Sequence, residues 1–468
     1  MVKYYCSKKI KGIGIMKKIF VISLSLTALL NISFTNDVLK FQQKVYAENF
    51  VTNNISKIEN PVLGGENDKW IGNYIYFGNY PQNDILGKTK EPICWRILDN
   101  NNKVWDNSKS ISENGFAYNT GCDNGKGARQ NAPVGGNGIL LISDKNLDVK
   151  QYHSIDHEDE ELNKLCWGGN GGGSGKGCTL WAWLNNYNNF NVFNNAVVPK
   201  ASFLTNAFTN TEQTAIMNTK VYSEDLNDER GLANSNRTSL TQDKIFIPSH
   251  NEMLNKSYGF AGHRISNTLI FNWSDYANNF KIYCFSLLRS PGPTYFTATY
   301  LHCFGLIFYD FYVCDAFGIL PAFNLNPESI IFVSEAAKGK NFAVNLTPTK
   351  FKLSTGKGNE YKLTLHDETR NNFTAKKISQ NGNEVTISYN NATTGNKEYI
   401  SCLILDEQSE IKYYGKLKQL NDSTTTNGSV TLNIPEELQN SKYSVEILNE
   451  QCNGDYKTDF SSKPIKCI

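Results

Sequence analysis

An aromatic-rich segment between two turn sequences constrains the fold of this chain more than any other feature. The segment starts after Leu-Leu-Arg-Ser-Pro-Gly at 287–292 and ends within Phe-Gly-Ile-Leu-Pro-Ala at 317–322. It holds nine aromatic residues, which is dense for a chain that is 12% aromatic overall. Its pattern predicts a hairpin with strands at Phe296–Cys303 and Leu306–Cys314 and a turn at Phe304-Gly305. A hairpin cannot bury this many rings on one face, so some rings are predicted either to face solvent or to meet a second packed layer.

Two interpretations of this hairpin remain open. Tyrosine-like rings give large, rigid contact area at low entropic cost, which suits a binding face. In the first interpretation the hairpin contacts a ligand through these residues: Tyr295, Tyr300, His302, Tyr309, Asp310, Tyr312 and Asp315. In the second interpretation the hairpin lies between two packed layers that shield both of its faces from solvent. This alternative applies most to Phe304, Phe308 and Phe311.

Charge and the amino terminus predict an exported protein that does not bind nucleic acid. The formal net charge is only +2 and charged residues make up 20% of the chain, whereas a nucleic-acid binder shows a concentrated basic patch. Residues 1–47 have the order of a signal peptide: lysines up to Lys18, an apolar run at Ile19–Leu30, and small residues before Glu48. The apolar run is short for a membrane span, and no later segment is long enough, although an uncleaved anchor is the alternative. The location is therefore predicted to be secreted or cell-surface associated, with Met16 as an alternative start to Met1.

The cysteines are interpreted in the oxidising context that export implies. Ten remain after the leader, and none forms a C-x-x-C pair, which disfavours zinc-ribbon and thioredoxin-like sites. Cys303 and Cys314 lie on the two arms of the predicted hairpin and form a candidate disulfide. Buried free thiols are the alternative, because spacing alone does not determine which cysteines pair.

The distribution of tryptophan predicts two folded parts. All seven tryptophans occur at or before Trp273, and the stretch Ser334–Asn341 reads as a linker. After a lead-in at 48–68, residues 69–333 are predicted to be an α+β domain and residues 341–468 an all-β, sandwich-like accessory domain. The elements predicted in the first part are strands at Trp70–Gln82, Ile93–Leu98, Gly138–Ser143 and Lys244–Pro248 and helices at Thr179–Asn185, Thr211–Met217 and Glu252–Tyr258. Those predicted in the second part are strands at Tyr361–Leu365, Glu384–Ser388, Tyr399–Leu405, Ile411–Tyr414, Ser429–Ile434 and Tyr443–Leu448.

No catalytic residue, metal or cofactor is predicted from the motifs. The glycine-rich stretch Gly168–Cys178 lacks the Ser or Thr and the upstream Gly of a phosphate-binding loop. His153 and His157 lie in an acidic stretch that is better explained as a solvated loop than as a metal site. No G-x-S-x-G sequence is present, and His302 would point away from Cys303 on a strand.

Several motifs in order resemble a bacterial family known mainly as a domain of unknown function. The resemblance spans about Trp70 to Leu325 and rests on these segments: Ile75–Gln82, Pro92–Leu98, Ile139–Ser143, Trp181–Asn185, Phe208–Glu212, Thr241–Ser249 and Leu288–Gly292. It implies an exported protein with a C-type-lectin-like fold, related to the formylglycine-generating-enzyme superfamily, whose last segment carries the ligand surface. The chain departs from the family in having Leu320 where an arginine is usual, and it lacks the calcium-ligand sequences of lectins. The last ~100 residues resemble a β domain often appended to such proteins.

The function predicted from these observations is binding of an extracellular glycan or protein. A structural envelope protein without a specific ligand is the alternative, and a thiol- or metal-dependent enzyme using Cys303 and Cys314 is a third hypothesis. Residues predicted to be structural are Arg289, Gly292, Gly305, Gly318, Trp183 and Asp243. Arg289 has mostly apolar neighbours in sequence and must find a partner, since an unpaired buried charge costs several kcal/mol. We expect it to pair with loop carbonyls or with a carboxylate, for which Asp243 is the first choice.

Overall fold

In the computed structural model, strands make up 46% of the residues described and helices 12%. The structure describes residues 54–64, 70–82, 89–116, 129–152, 179–186, 202–223, 239–260, 285–291, 297–302, 307–312 and 315–468. The predicted leader lies outside these residues. Among the residues described, no helix is long and apolar enough to cross a membrane. The α+β prediction is therefore confirmed only at a coarser level, as a mostly β chain with short helices.

The elements are numbered here in chain order. The strands of the first part are β1 (Tyr74–Tyr80), β2 (Glu91–Asn102), β3 (Asn131–Pro133), β4 (Gly138–Ser143), β5 (Asp148–Gln151), β6 (Thr219–Ser223), β7 (Ser239–Asp243), β8 (Ser286–Pro291), β9 (Thr297–Leu301), β10 (Ile307–Tyr312), β11 (Ala316–Ile319), β12 (Ala322–Leu325) and β13 (Ile330–Glu335). The later strands are β14 (Thr349–Lys350), β15 (Glu360–His366), β16 (Thr374–Asn381), β17 (Glu384–Asn390), β18 (Glu398–Leu405), β19 (Ile411–Gln419), β20 (Gly428–Asn433), β21 (Ser444–Gln451), β22 (Asp459–Ser461) and β23 (Ile465–Lys466). The helices are α1 (Thr179–Asn185), α2 (Phe203–Ala207), α3 (Asn210–Ala215) and α4 (His250–Met253), with 3₁₀ turns at Asn54–Lys57, Lys256–Tyr258, Pro327–Ser329, Glu368–Arg370 and Glu436–Leu438.

One large sheet contains strands from both predicted parts of the chain. Its order within the described residues is β12-β4-β2-β1-β15-β22-β21-β18-β19-β14, with β13 added on β15 and β23 on β21. The join is the parallel pair β1–β15, in which Tyr74 lies opposite Glu360. Within the stretch predicted as a linker, Ala336 and Lys340 are buried.

A first hydrophobic core lies on the sheet around β1, β2, β4 and β12. Trp95 is fully buried there, and its Nε1 donates a hydrogen bond of 2.7 Å to the Phe77 carbonyl. Its ring packs edge-to-face on Phe323, with centroids 4.7 Å apart. The continuous apolar run of β4 is buried at every position, as expected for a central strand with both faces covered.

A second core joins the strands of the carboxyl-terminal part. Buried side chains of the three-stranded sheet β16-β17-β20 and of strands β18, β19 and β21 form one apolar cluster. In β17 the alternation places Val385, Ile387 and Tyr389 inward. Strand β16 was not predicted, because its side chains are mostly exposed and show no apolar alternation.

Capping boxes fix the starts of two short helices. Thr209 caps α3 and Ser249 caps α4, and in each case the glutamate three residues later reaches back to the cap backbone. The helix predicted at Thr211–Met217 therefore begins and ends earlier, at Asn210–Ala215. Both helices are shorter than two turns, so side-chain caps satisfy much of their backbone.

Other sequence predictions differ in how well they match the elements. Helix α1 and strand β4 have the predicted bounds. Lys244–Pro248 was predicted as a strand, but only Phe246 forms an isolated bridge, to Ala322. The backbone amides of Lys244 and Ile245 instead donate to Oδ1 of Asn185, at 2.9 Å each. This segment is therefore held by the last residue of α1 and not by pairing with a strand.

Candidate functional site

The aromatic segment forms part of a five-stranded sheet separate from the large one. Its order is β10-β9-β8-β11-β5. Strands β9 and β10 pair antiparallel, with Ile307 opposite Leu301 and Phe308 opposite Tyr300, as the predicted hairpin requires. The predicted turn at Phe304-Gly305 lies outside the described residues. An irregularity in register between Phe308 and Phe311 shifts the pairing on β10.

A stack of rings runs across one region of this sheet. The Tyr300 ring lies between Phe308 and Phe317, stacked on each with centroids 5.5 Å apart. Phe311 meets Phe317 edge-to-face at 4.4 Å, and both of these rings are buried. Each such aromatic pair adds about 0.5–1.5 kcal/mol beyond its area burial, so the inner rings form a rigid base.

Exposed groups lie at the outer edge of this stack. Phe308 is 37% exposed and Tyr312 is 48% exposed, whereas Phe311 between them is 3% exposed. Asp315 is also exposed, and its backbone amide donates to the Tyr312 carbonyl at 2.9 Å. Phe308, whose ring packs on Tyr300, and the exposed Tyr312 and Asp315 farther along the chain form what we call the aromatic face.

His302 is at the half-buried side of the aromatic face. Its ring packs on Phe285 with centroids 4.5 Å apart and on Phe308 at 5.3 Å. Burial lowers the pKa of His302, which favours the neutral imidazole near pH 7. A neutral ring can offer one donor and one acceptor to a polar ligand.

The structure describes only part of the predicted site. Tyr300, His302, Tyr312 and Asp315 all lie on or beside the β9–β10 hairpin. Tyr309 and Asp310 occupy β10, but their side chains lie outside the described residues, as do the following residues entirely: Tyr295, Gly292, Gly305, Cys303 and Cys314. The candidate disulfide therefore stays a prediction. Phe285 and Phe308 were not predicted as contact residues. The only signal for Phe308 was the aromatic density of the segment, and Phe285 lies before that segment.

Arg289 lies on β8, the middle strand of this sheet, and its side chain is fully buried. Its Nη1 pairs with Oε2 of Glu252 at 2.5 Å and donates to the Ile247 carbonyl at 2.7 Å. The remaining nitrogens donate to the carbonyls of Tyr222 and Gln130, at 3.1 Å. The prediction that Arg289 binds a carboxylate and loop carbonyls is confirmed.

Asp243 was the wrong partner for Arg289. The backbone amide of Arg289 donates to Pro248, and Ser290 Oγ accepts from the amide of His250, so β8 runs beside the start of α4. The capping box at that start holds the Glu252 carboxylate under β8, where it meets the guanidinium. Asp243 instead accepts a hydrogen bond of 2.6 Å from Trp181 Nε1.

Two other predicted structural residues have clear packing roles. Trp183 is buried against Phe203, with centroids 5.6 Å apart. Gly318 lies so close to its neighbours that a Cβ would stand 2.2 Å from Asn146 Nδ2 and 2.7 Å from the Phe285 carbonyl oxygen. A side chain at 318 would therefore disturb the edge of the aromatic face.

Comparison with known proteins assigns part of the chain to a family. Residues 169–327 match the model of DUF6273, a domain of unknown function. This match contains β8 to β12, and so includes the aromatic face and Arg289. It is narrower than the resemblance drawn from the motifs, which began near Trp70. No curated protein and no solved structure matches the chain.

Proposed function

We propose that this chain is an exported binding protein whose DUF6273 segment has a C-type-lectin-like arrangement and binds a glycan at the aromatic face. The supporting observation is that Phe308 and Tyr312 face solvent, and that the Phe308 ring is held against Tyr300, which is itself stacked on Phe317. Exposed rings fixed in place lose little entropy when a ligand covers them.

The chemistry of the face favours a glycan over other ligands. The apolar face of a sugar ring packs on an aromatic ring, and sugar hydroxyls donate to carboxylates and to neutral imidazole. His302, packed on Phe308, and the exposed Asp315, three residues after Tyr312, offer such acceptors. A surface without calcium-ligand sequences would bind its glycan without a metal.

A glycan array with the full-length protein tests this proposal. The double variant Phe308→Ala/Tyr312→Ala should weaken binding by at least about tenfold, equivalent to about 1.4 kcal/mol. The matched control is Phe342→Ala/Tyr456→Ala, which removes rings of similar exposure, 52% and 36%, away from the face. It should leave affinity within about twofold, or ~0.4 kcal/mol.

Two results would overturn the proposal. One is binding to protein arrays alone, which would change the ligand class. The other is an equal loss in the control variant, which would show that binding does not depend on the aromatic face. No binding on either the glycan or the protein array would favour a structural envelope protein instead.

A further inference from the structure

Two lysines and two carboxylates are buried together where β15, β21 and β22 meet. Lys362 lies on β15, Glu450 on β21 and Asp459 on β22, and Lys340 reaches them from the segment after β13. The side chains of both lysines are 3% exposed and those of both carboxylates are 0% exposed. Four charged groups at this depth are unusual, because charged residues are rarely fully buried even when paired.

The contacts fix the Asp459 carboxylate beside both amines. Lys340 Nζ and Lys362 Nζ each lie 2.9 Å from Asp459 Oδ2, although neither is aligned as a hydrogen bond to it. The other oxygen, Oδ1, accepts a hydrogen bond of 2.6 Å from the Asn453 amide. The carbonyl carbon of Asp459 is therefore held within close reach of an amine.

Glu450 lies against only one of the two amines in the contacts described. Lys340 Nζ donates to Glu450 Oε1, and Tyr414 Oη contacts Oε2 of the same carboxylate at 3.1 Å. Lys362 Nζ instead donates to the Gly454 carbonyl, at 2.8 Å. Lys340 thus has a carboxylate available to accept its proton, and Lys362 is a fixed positive charge beside Asp459.

The surroundings of Lys340 are apolar and aromatic. Its ammonium lies over the Phe332 ring at 4.5 Å and near the Tyr414 ring at 5.7 Å. Burial acts to lower the pKa of Lys340, and the charges of Asp459 and Glu450 more than reverse that effect. Charged groups held out of water each carry a desolvation cost of several kcal/mol, so a reaction that removes one ammonium and one carboxylate is favoured.

We propose that Lys340 and Asp459 are joined by an intramolecular isopeptide bond. One proton of the Lys340 ammonium passes through Glu450 to Asp459, which gives a neutral amine beside a carboxylic acid. Nζ then attacks Cγ of Asp459, and Lys362 stabilises the negative charge that develops on the carboxyl oxygen. A second Nζ proton passes through Glu450 to the departing hydroxyl. The C–O bond breaks, one water leaves, and the amide retains the third proton, so no oxidant or cofactor is required.

The same position does not favour a metal ion. Ligand atoms of Glu450, Cys452 and Asp459 lie within 4.8 Å of one another. The Lys340 amine already contacts both carboxylates, and Cys452 Sγ donates to Glu450 Oε1 at 3.1 Å. Burial raises the pKa of the Cys452 thiol well above its usual range, so the thiolate form that binds metals is disfavoured.

The mass of the purified full-length protein tests the proposal without any variant. We expect a mass lower than that of the processed sequence by one water molecule. Peptide mapping should yield one branched peptide that contains both Lys340 and Asp459. A protein of full sequence mass with two separate peptides would overturn the proposal and leave an ion-pair network.

Variants test the separate roles of the two lysines. Lys340→Arg keeps the positive charge but should abolish both the mass deficit and the branched peptide. Lys362→Arg keeps a positive charge beside Asp459, so the branched peptide should still form, but in a smaller fraction at a given time after synthesis. Lys412→Arg, whose ion pair with Asp406 lies outside the cluster, should retain both fully. Glu450→Gln should leave a larger unlinked fraction at a given time after synthesis. Circular dichroism identifies variants that fail to fold. For these, the test depends on the mass and the peptide map of the parent protein. A branched peptide joining Lys362 to Asp459 would overturn the assignment of Lys340.

Discussion

Replacing Arg289 with methionine should destabilise the protein strongly, because the guanidinium has buried partners on every side. The substitution keeps an unbranched side chain of similar length, so it chiefly removes the charge and the donors. Glu252, whose side chain is 4% exposed, would keep its bonds to the Ser249 amide and Asn131 Nδ2 but lose its counter-ion. The carbonyls of Gln130 and Ile247 would each lose a donor.

The expected loss follows from these two effects. Removing one partner of a buried ion pair costs about 3–5 kcal/mol. A buried carbonyl left without a donor adds up to about 1–3 kcal/mol, part of which the methionine recovers by burying apolar surface. This cost does not apply to the Gln130 carbonyl, which keeps the Tyr222 amide as a donor. We therefore expect a loss of at least about 3–5 kcal/mol, a large share of the ~5–15 kcal/mol by which proteins of ordinary size are stable.

Urea unfolding of the full chain at pH 7 measures this loss. A double-mutant cycle with Glu252→Gln should give a coupling energy of about 1–3 kcal/mol, because the two residues share one contact. Lys109→Met is the control, since its ion pair with Asp106 is exposed and should contribute less than about 1 kcal/mol. An Arg289→Met variant as stable as the control would refute this reasoning, and loss of glycan binding at unchanged stability would make Arg289 a binding residue instead.

The remaining predictions concern packing and protonation. Tyr300→Ala should lower the free energy of unfolding by about 2–3 kcal/mol, because the Tyr300 ring is stacked on two others. Tyr312→Ala, at an exposed ring, should change it by less than ~0.5 kcal/mol. Equal losses of the two variants in thermal unfolding would contradict this. Gly318→Ala should cost about 1–3 kcal/mol, since its Cβ would overlap Asn146, and a variant that melts like the parent would show that the strand edge can shift. Burial raises the pKa of Glu446 from 4.5 to about 7, so the folded state binds the extra proton between these values and stability falls as pH rises through that window. The Glu446→Gln variant lacks this titration, so its free energy of unfolding relative to the parent should rise by about 2–3 kcal/mol from pH 4 to pH 8, and a constant difference would refute the assignment.

Local sequence patterns were sufficient to predict many of the individual elements. The apolar run at Gly138–Ser143 and the helix at Thr179–Asn185 have the predicted bounds, and the aromatic hairpin pairs as expected. These elements depend on residues a few positions apart, where side-chain period and turn residues act directly. Strands without apolar alternation, such as β16, gave no comparable signal.

The exposure of each ring in the aromatic segment was not accessible from the sequence. Phe308 and Phe311 occupy the same short strand, yet one is exposed and the other is buried. The register irregularity between them and the position of Phe317 on β11 decide this difference. Aromatic density predicted that such a surface could form, but not which rings it contains.

The sequence by itself determined strand β4, helix α1, the pairing of the aromatic hairpin and the need of Arg289 for buried partners. Only the tertiary structure decided that Glu252 rather than Asp243 meets Arg289, and that Lys340 is buried beside Asp459 rather than solvated in a linker. Arg289 and Glu252 are 37 residues apart, on a strand and on the start of a helix, and Lys340 and Asp459 are more than 100 residues apart. A charged residue is buried only when its counter-charge arrives from elsewhere in the fold, and local periodicity carries no information about which distant segment will supply it.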